Sequence, residues 1–291
     1  MRVAEWFLAS RPWSFVMTLI SSSLGGVLAF KSGSFDAVLF VLVLAGLVVL
    51  HAATNLANDI YDVNFRVDVA GAPTTRYRPH PLAYGVTTKK TYALVTASLY
   101  TVSLGIATYL SLLRGPLVIA FALAGTFLSV FYTAPPLTLK YRAFGEASVI
   151  ATWGPLMVGG TYLVLTGRLE AGVLLTSIPV GCLVGAVLLA NNLRDIEYDR
   201  SANIRTVATV LGLRWGFVIF AALLAVSYLI VLIQVAFRLL PPTSLAILVT
   251  VPMAVKMLSH FRRSLPVDSD ARVAGLTMFF GAALIIGILL G

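Results

Sequence analysis

The chain has 291 residues, 59% of them hydrophobic and 11% charged, with a mean hydropathy of +0.93 and a net charge of +9. That balance excludes a soluble globular domain and defines an integral membrane protein. One cysteine, Cys182, excludes an internal disulfide, and the absence of a basic run or interleaved aromatic patch removes nucleic acid as the partner of the excess positive charge.

Met1 to Arg11 is charged and lacks a short apolar core followed by a small-residue cleavage site, so the first apolar run is expected to remain as a helix. A spanning helix needs about 20 mainly apolar residues. At that length the sequence predicts nine, near 13–30, 36–58, 88–112, 115–133, 145–166, 171–193, 214–237, 241–258 and 272–290. Only short polar breaks separate them, which predicts one all-α transmembrane domain over residues 1–291. Small residues such as Gly25-Gly26, Gly159-Gly160 and Gly181 with Gly185 mark close helix packing in lipid, and Cys182 reads as a packed helix residue.

Placing the N-terminus and the connections after helices two, four, six and eight on one side gathers 17 of the 21 Lys and Arg residues there. Lys31, Arg114, Arg168 and Arg238 remain opposite. The positive-inside rule makes the crowded side cytoplasmic and puts Gly291 outside, as expected for a multi-pass protein of the cell membrane. Ten of the twelve acids share that side.

Those acids form two clusters at the ends of apolar runs: Asp59-Ile60-Tyr61-Asp62 with Asp68, and Asp195-Ile196-Glu197-Tyr198-Asp199. A charge held in hydrocarbon costs roughly 2.5–3.5 kcal/mol, so paired acids at membrane depth signal a site with a cation as partner. Asn58 and Asp62 are four residues apart, as are Asn191, Asp195 and Asp199, so on continuing helices each set projects from one face. Leu56-Ala57-Asn58 followed by Asp62 recurs as Leu189-Ala190-Asn191 followed by Asp195, an echo of two related halves facing one cavity. Carboxylate and amide oxygens without thiolate or imidazole suit Mg²⁺, whose remaining positions take water and phosphate oxygens. The clusters therefore read as a diphosphate site held through magnesium; ion pairing with Arg66, Arg194 and Arg200 is the alternative.

The connection from Asp59 to Lys90 is long for a helical bundle and rich in Pro, Thr, Arg and Tyr, which predicts an ordered cap over the cavity. Within it His80 stands between two prolines, either as a phosphate donor or base or as a plain loop histidine. The connection after helix four carries Lys140 and Arg142, which can meet phosphate oxygens or anchor to the membrane surface.

At these residues the chain resembles the UbiA superfamily of intramembrane aromatic prenyltransferases along most of its length. Asn58-Asp59-Ile60-Tyr61-Asp62 is similar to that family's first acidic motif and Asn191 through Asp199 to its second. Arg78-Pro79-His80-Pro81-Leu82 looks like its basic-proline segment, and Tyr132 to Lys140, leading to Gly145-Glu146, like its lysine loop. Arg205 through Gly212 is similar to the segment after the second motif. Arg66 stands where ubiquinone-type members carry a third acid, the acid here is Asp68, and Lys140 follows Tyr132 at a longer spacing. These departures, with Tyr77 through Leu82, resemble the menaquinone branch, which prenylates 1,4-dihydroxy-2-naphthoate.

The resemblance implies a Mg²⁺-dependent transfer of a polyprenyl group from its diphosphate to an aromatic ring. It implies Mg²⁺ on Asp62, Asp68, Asp195 and Asp199, with Arg78 and Lys140 taking up the charge of the leaving diphosphate. Asn58 and Asn191 would orient ligands, and Asp59, Arg142, Tyr132 and Tyr198 join the substrate-binding set. The allylic cation calls for aromatic faces, from Tyr61, Tyr141, Trp153 or Tyr198. Within the family 4-hydroxybenzoate and geranylgeranylglyceryl phosphate are the competing acceptors. A cation transporter would place its acids at mid-helix rather than at helix ends, and the Asp-Gly and Ala-Arg lead-in of the CDP-alcohol phosphotransferases is absent.

Overall fold

The computed structural model describes residues 1–72, 75 and 80–291, and among these there is no strand. A short surface helix, α1 (Val3–Ala9), precedes the spans and was not legible as one in the apolar pattern. The helices that follow are α2 (Phe15–Lys31), α3 (Ala37–Asn64), α4 (Lys89–Arg114), α5 (Pro116–Thr133), α6 (Gly145–Ala151), α7 (Met157–Thr166) and α8 (Ala171–Arg194). Then come α9 (Ile196–Ser201), α10 (Val207–Ala236), α11 (Val251–Phe261) and α12 (Ser269–Leu290). With α6 and α7 counted as one span, and a 3-10 stretch (Pro242–Thr250) leading into α11, nine helices among the described residues are long and apolar enough to cross a membrane. The protein is a multi-pass membrane protein, because helices close every backbone hydrogen bond within the segment where lipid offers no partner.

Local signals set the helix ends. Asp36 caps α3 by accepting from the N–H groups of Val38 and Leu39 at 2.8 and 3.0 Å, and Thr88 and Thr206 cap α4 and α10 in the same way. Gly115 and Gly167 end α4 and α7 at positive φ. Span five is bent at Thr152–Leu156 by a wide turn containing Gly154 and Pro155, where proline supplies no N–H to the ladder. A Cβ on Gly181 would stand 2.6 Å from the Ile150 carbonyl oxygen and 3.1 Å from Gly154 Cα, so α8 meets the bend backbone to backbone. α8 is the central helix, 72% buried over its apolar window against 17% for the lipid-facing α4.

Two boundaries bear on the acids. α3 runs to Asn64 rather than ending near 58, so the whole first motif is helical and Asn58 and Asp62 share a face. α8 stops at Arg194, and Asp195 forms the joint to α9 rather than lying on a continuing helix. The Asp195 N–H still bonds the Asn191 carbonyl at 3.0 Å and the Asp199 N–H bonds that of Asp195 at 2.9 Å, so the acids stay one turn apart across the joint. α10 begins seven residues before the predicted apolar run; Gly212, at positive φ, separates its polar start from the span.

The segment after α3 folds back as a cap. Val67 and Asp68 donate their N–H groups to the Asp62 carbonyl, and Leu82 packs with Ala9, Leu56 and Tyr92 in a small core beside the main one. Arg11, this cap, the lysine loop, the second motif and the α11–α12 connection all meet at one end of the bundle. Contacts from Arg11 to Asp59, Lys140 to Asp62, Tyr198 to Val67, Ala143 to Arg205 and Arg194 to Val267 hold them together.

Candidate active site

Between α2, α3, α5, α6, α8 and α12 lies a cavity of about 620 Å³. Its polar end is lined by Asn58, Asp62, Lys140, Asn191, Asn192, Arg194, Asp268 and Asp270, and its deeper walls by Met17, Leu50, Leu128, Val149, Met157 and Val184. An apolar pocket of about 70 Å³ between α3, α4, α5 and α7 adjoins it through shared Leu50, Gly125, Thr152 and Met157.

Asp62, at the polar end, is 3% exposed. Lys140 donates to both of its oxygens, at 2.9 and 2.8 Å, and the Tyr141 hydroxyl donates to Oδ1. Burial and the Asp62 charge raise the Tyr141 pKa, so the phenol keeps the proton it donates. Asn58 lies one turn earlier on α3, where its amide oxygen accepts from Thr133 at 3.0 Å.

The other two acids of the first cluster face inward to the cap. Asp59, with no exposed surface, accepts from Arg11 at 2.5 Å and from the Tyr92 hydroxyl at 2.9 Å. Burial opposes the Arg11 charge, but Asp59 and Asp62 outweigh it and leave the guanidinium pKa raised. Asp68 lies 3.1 Å from His80 Nε2, and His80 is also 3.8 Å from Asp59. The His80 Nδ1 accepts the Ala83 N–H at 3.3 Å, which leaves the proton on Nε2, facing Asp68. His80 therefore orders acids within the cap, and one ligand atom each from Asp59, Asp68 and His80 falls within 4.8 Å.

In the second cluster, Arg194 clasps Asp195 through Nε and one terminal nitrogen at 2.8 and 2.7 Å and reaches the Asn191 amide oxygen at 2.6 Å. Asp199 is buried one turn on. Its pKa is pushed up to about 7, first by burial and then by Asp195 and Asp62, which Lys140 and Arg194 offset only in part. Tyr198 donates to the Val67 carbonyl at 2.7 Å, tying this motif to the cap.

Tyr132 and Trp153 line the cavity, whereas Tyr61, Tyr141 and Tyr198 do not. Tyr61 stacks on Phe65, and Tyr141 meets that ring edge-on. Arg142 is exposed and forms a backbone bridge to Arg205. Arg78 lies outside the described residues.

The structure adds residues the sequence reading passed over. His51, Ser14 and Thr18 form a buried tie between α2 and α3 on the cavity wall; Ser14 donates to the Arg11 carbonyl, so His51 Nε2 donates to Ser14 and Nδ1 accepts from Thr18. Asn55, Asn58 and Asp62 make one polar stripe at helical spacing, a signal present in the sequence. Asn192, adjacent to Asn191, donates to the buried Glu146 at 2.9 Å. Asp268 and Asp270 carried no such signal, because only packing of the last helix brings them to the cavity.

A substrate that is anionic at one end and hydrocarbon at the other fits this division into a charged mouth and an apolar interior. A helical bundle with such a cavity can hold the charged end of a lipid-like substrate apart from its tail. Over residues 18–284 the sequence matches the UbiA prenyltransferase family. UbiA prenyltransferase domain-containing protein 1 of Xenopus tropicalis is 32% identical over 99% of this chain and 83% of its own length. The 1,4-dihydroxy-2-naphthoate octaprenyltransferase of Bacillus subtilis is 28% identical over 97% of this chain and 91% of its own. The fold matches a UbiA homolog from Archaeoglobus fulgidus, bound to DMAPP and Mg²⁺, with a TM-score of 0.68 and 15% identity over 97% of this chain and 99% of that one. The chain belongs to the UbiA prenyltransferase family and is a membrane prenyltransferase.

Proposed function

We propose that this protein transfers a polyprenyl group from polyprenyl diphosphate to 1,4-dihydroxy-2-naphthoate, as one domain over residues 1–291 with its charged end on the cytoplasmic side. The observation that carries the donor half is that Asp62, its partner Lys140, and Arg194, which holds Asp195 behind it, line the polar end of a cavity with apolar depths. The acceptor half is supported by the Bacillus subtilis relative and by the run Tyr77 through Leu82, which resembles the menaquinone branch.

The donor set fits Mg²⁺, since Asp62, Asp195 and Asp199 offer oxygen ligands alone and stand beside the cations Lys140 and Arg194. Asp62, Asp195 and Asp199 would hold it, with Asp68 as the further acid of the first cluster. When bound, the ion supplies charge neutralisation of the departing diphosphate.

The protein's own groups supply the rest. Lys140 sits where it can accept phosphate charge, and Asn58 and Asn191 present amides beside it. As the allylic C–O bond breaks, its electron pair leaves with the diphosphate. Trp153 and the apolar walls keep water from the resulting carbocation, and the indole face stabilises it. The ring carbon bearing the carboxylate attacks, and carbon dioxide leaves with its bonding pair returned to the ring. The prenyl tail lies along the deeper walls and the adjoining apolar pocket.

Membranes containing the full chain are assayed with labelled geranylgeranyl diphosphate and dihydroxynaphthoate, 4-hydroxybenzoate or geranylgeranylglyceryl phosphate, each with Mg²⁺ or EDTA. Metal-dependent product from dihydroxynaphthoate alone is expected. Product from either other acceptor in its place overturns the acceptor assignment and keeps the transferase; no product from any acceptor overturns the reading.

A further inference from the structure

Arg194 is bonded more fully than a surface ion pair requires. Its Nε and one terminal nitrogen hold both oxygens of Asp195 and the Asn191 amide oxygen, while its other terminal nitrogen holds the Val267 carbonyl at 2.8 Å and Asp270 at 2.9 Å. Those contacts use all five guanidinium N–H donors. The side chain is 9% exposed and lines the cavity.

The two edges of the guanidinium therefore have different partners. One edge is fixed to the start of α12, through Asp270 and the carbonyl before it. The other edge, the Nε and terminal pair that matches a carboxylate or phosphate fork, is spent on Asp195 and Asn191, the oxygens that a divalent cation would also require. Lys140 on Asp62 repeats the arrangement in the first half of the chain.

We propose that Arg194 is a diphosphate-binding residue held in reserve. When Asp195 and Asn191 turn to the cation, the free edge of Arg194 faces the cavity and takes phosphate oxygens, while Asp270 and Val267 keep the guanidinium in place. Asp270 is then its anchor and its competitor together. The inference rests on the diphosphate reading of the site, and it makes metal and diphosphate binding cooperative: each cation released by an acid is one the diphosphate gains.

The test is calorimetric binding on the full chain in nanodiscs, with Mn²⁺ alone and with inorganic pyrophosphate in saturating Mg²⁺. Arg194→Gln is expected to weaken pyrophosphate at least about tenfold and to bind Mn²⁺ alone about threefold more tightly, because Asp195 loses its internal competitor. Asp270→Asn is expected to tighten pyrophosphate about threefold by loosening the hold on Arg194. A residue that only staples α12 to the second motif would lower the melting temperature in both variants and leave both affinities unchanged, which would overturn the proposal. If Arg194→Gln does not fold, Asp270→Asn decides alone by the same measure. Failure of the unmodified protein to bind pyrophosphate with Mg²⁺ would instead overturn the diphosphate reading itself.

Discussion

The two acidic motifs begin with the same Leu-Ala-Asn string and reach their aspartates by the same spacing, yet the fold neutralises them differently. In the first, partners come from far along the chain: Arg11 to Asp59 across 48 residues, Lys140 to Asp62 across 78, His80 to Asp68 from the cap. In the second, Asp195 is held by its own neighbour Arg194, and burial raises the Asp199 pKa to about 7 against the pull of Lys140 and Arg194. The first motif thus assembles the tertiary structure while offering one acid to the cavity, and the second keeps an acid whose protonation changes near neutral pH.

The largest effect expected from breaking this comparison is loss of catalysis with the fold intact. Asp62→Asn or Asp195→Asn should each lower turnover at least about a hundredfold, with the helical circular dichroism of the parent retained. A stability loss of equal size in both would mean that the motifs are scaffold.

The next effect falls on stability, in the first motif alone. Arg11→Leu takes the Arg11 hydrogen bond from the buried Asp59 and should cost roughly 1–3 kcal/mol, read as a lowered midpoint in thermal or denaturant unfolding. Arg200→Ala, whose partner Glu197 is exposed in the second motif, should cost under about 1 kcal/mol by the same measurement.

A pH effect should distinguish the second motif. With the Asp199 pKa at about 7, metal binding must displace its proton, so Mg²⁺ affinity should fall by up to about tenfold per pH unit below 7 and level off above it. In the metal-free protein the sign for stability is opposite. The folded state holds this proton more tightly than the unfolded one, so the contribution is present in acid and lost as pH rises through about 7. Asp199→Asn should flatten both profiles.

The smallest effect is expected at Arg142, exposed beside the lysine loop. Arg142→Ala should leave stability within about 0.5 kcal/mol and the KM for prenyl diphosphate within about twofold; a tenfold rise would place this side chain at the diphosphate.

Much of the fold was legible because lipid as a solvent allows few solutions: an apolar run of spanning length must be a helix, and its ends show in the charges. The shared face of Asn58 and Asp62 was legible for the same reason, since helical spacing fixes which residues share a face; Asn55 follows the same spacing but was not picked out. The helix joint at Asp195 was hidden because no glycine or proline marks it. Asp268 and Asp270 were hidden because nothing in their neighbourhood differs from an ordinary acidic helix start.

By itself, then, the amino-acid sequence determined the nine spans, the gathering of charge at their alternate ends and the two oxygen-rich motifs, all of which depend on composition and local periodicity. Only the tertiary structure decided which acid each cation meets, that Asp59 turns into the cap while Asp62 turns to the cavity, and that Arg194 joins the second motif to the last helix. Those outcomes depend on how helices far apart in the chain pack, and a buried charge takes whichever counter-charge that packing brings within reach.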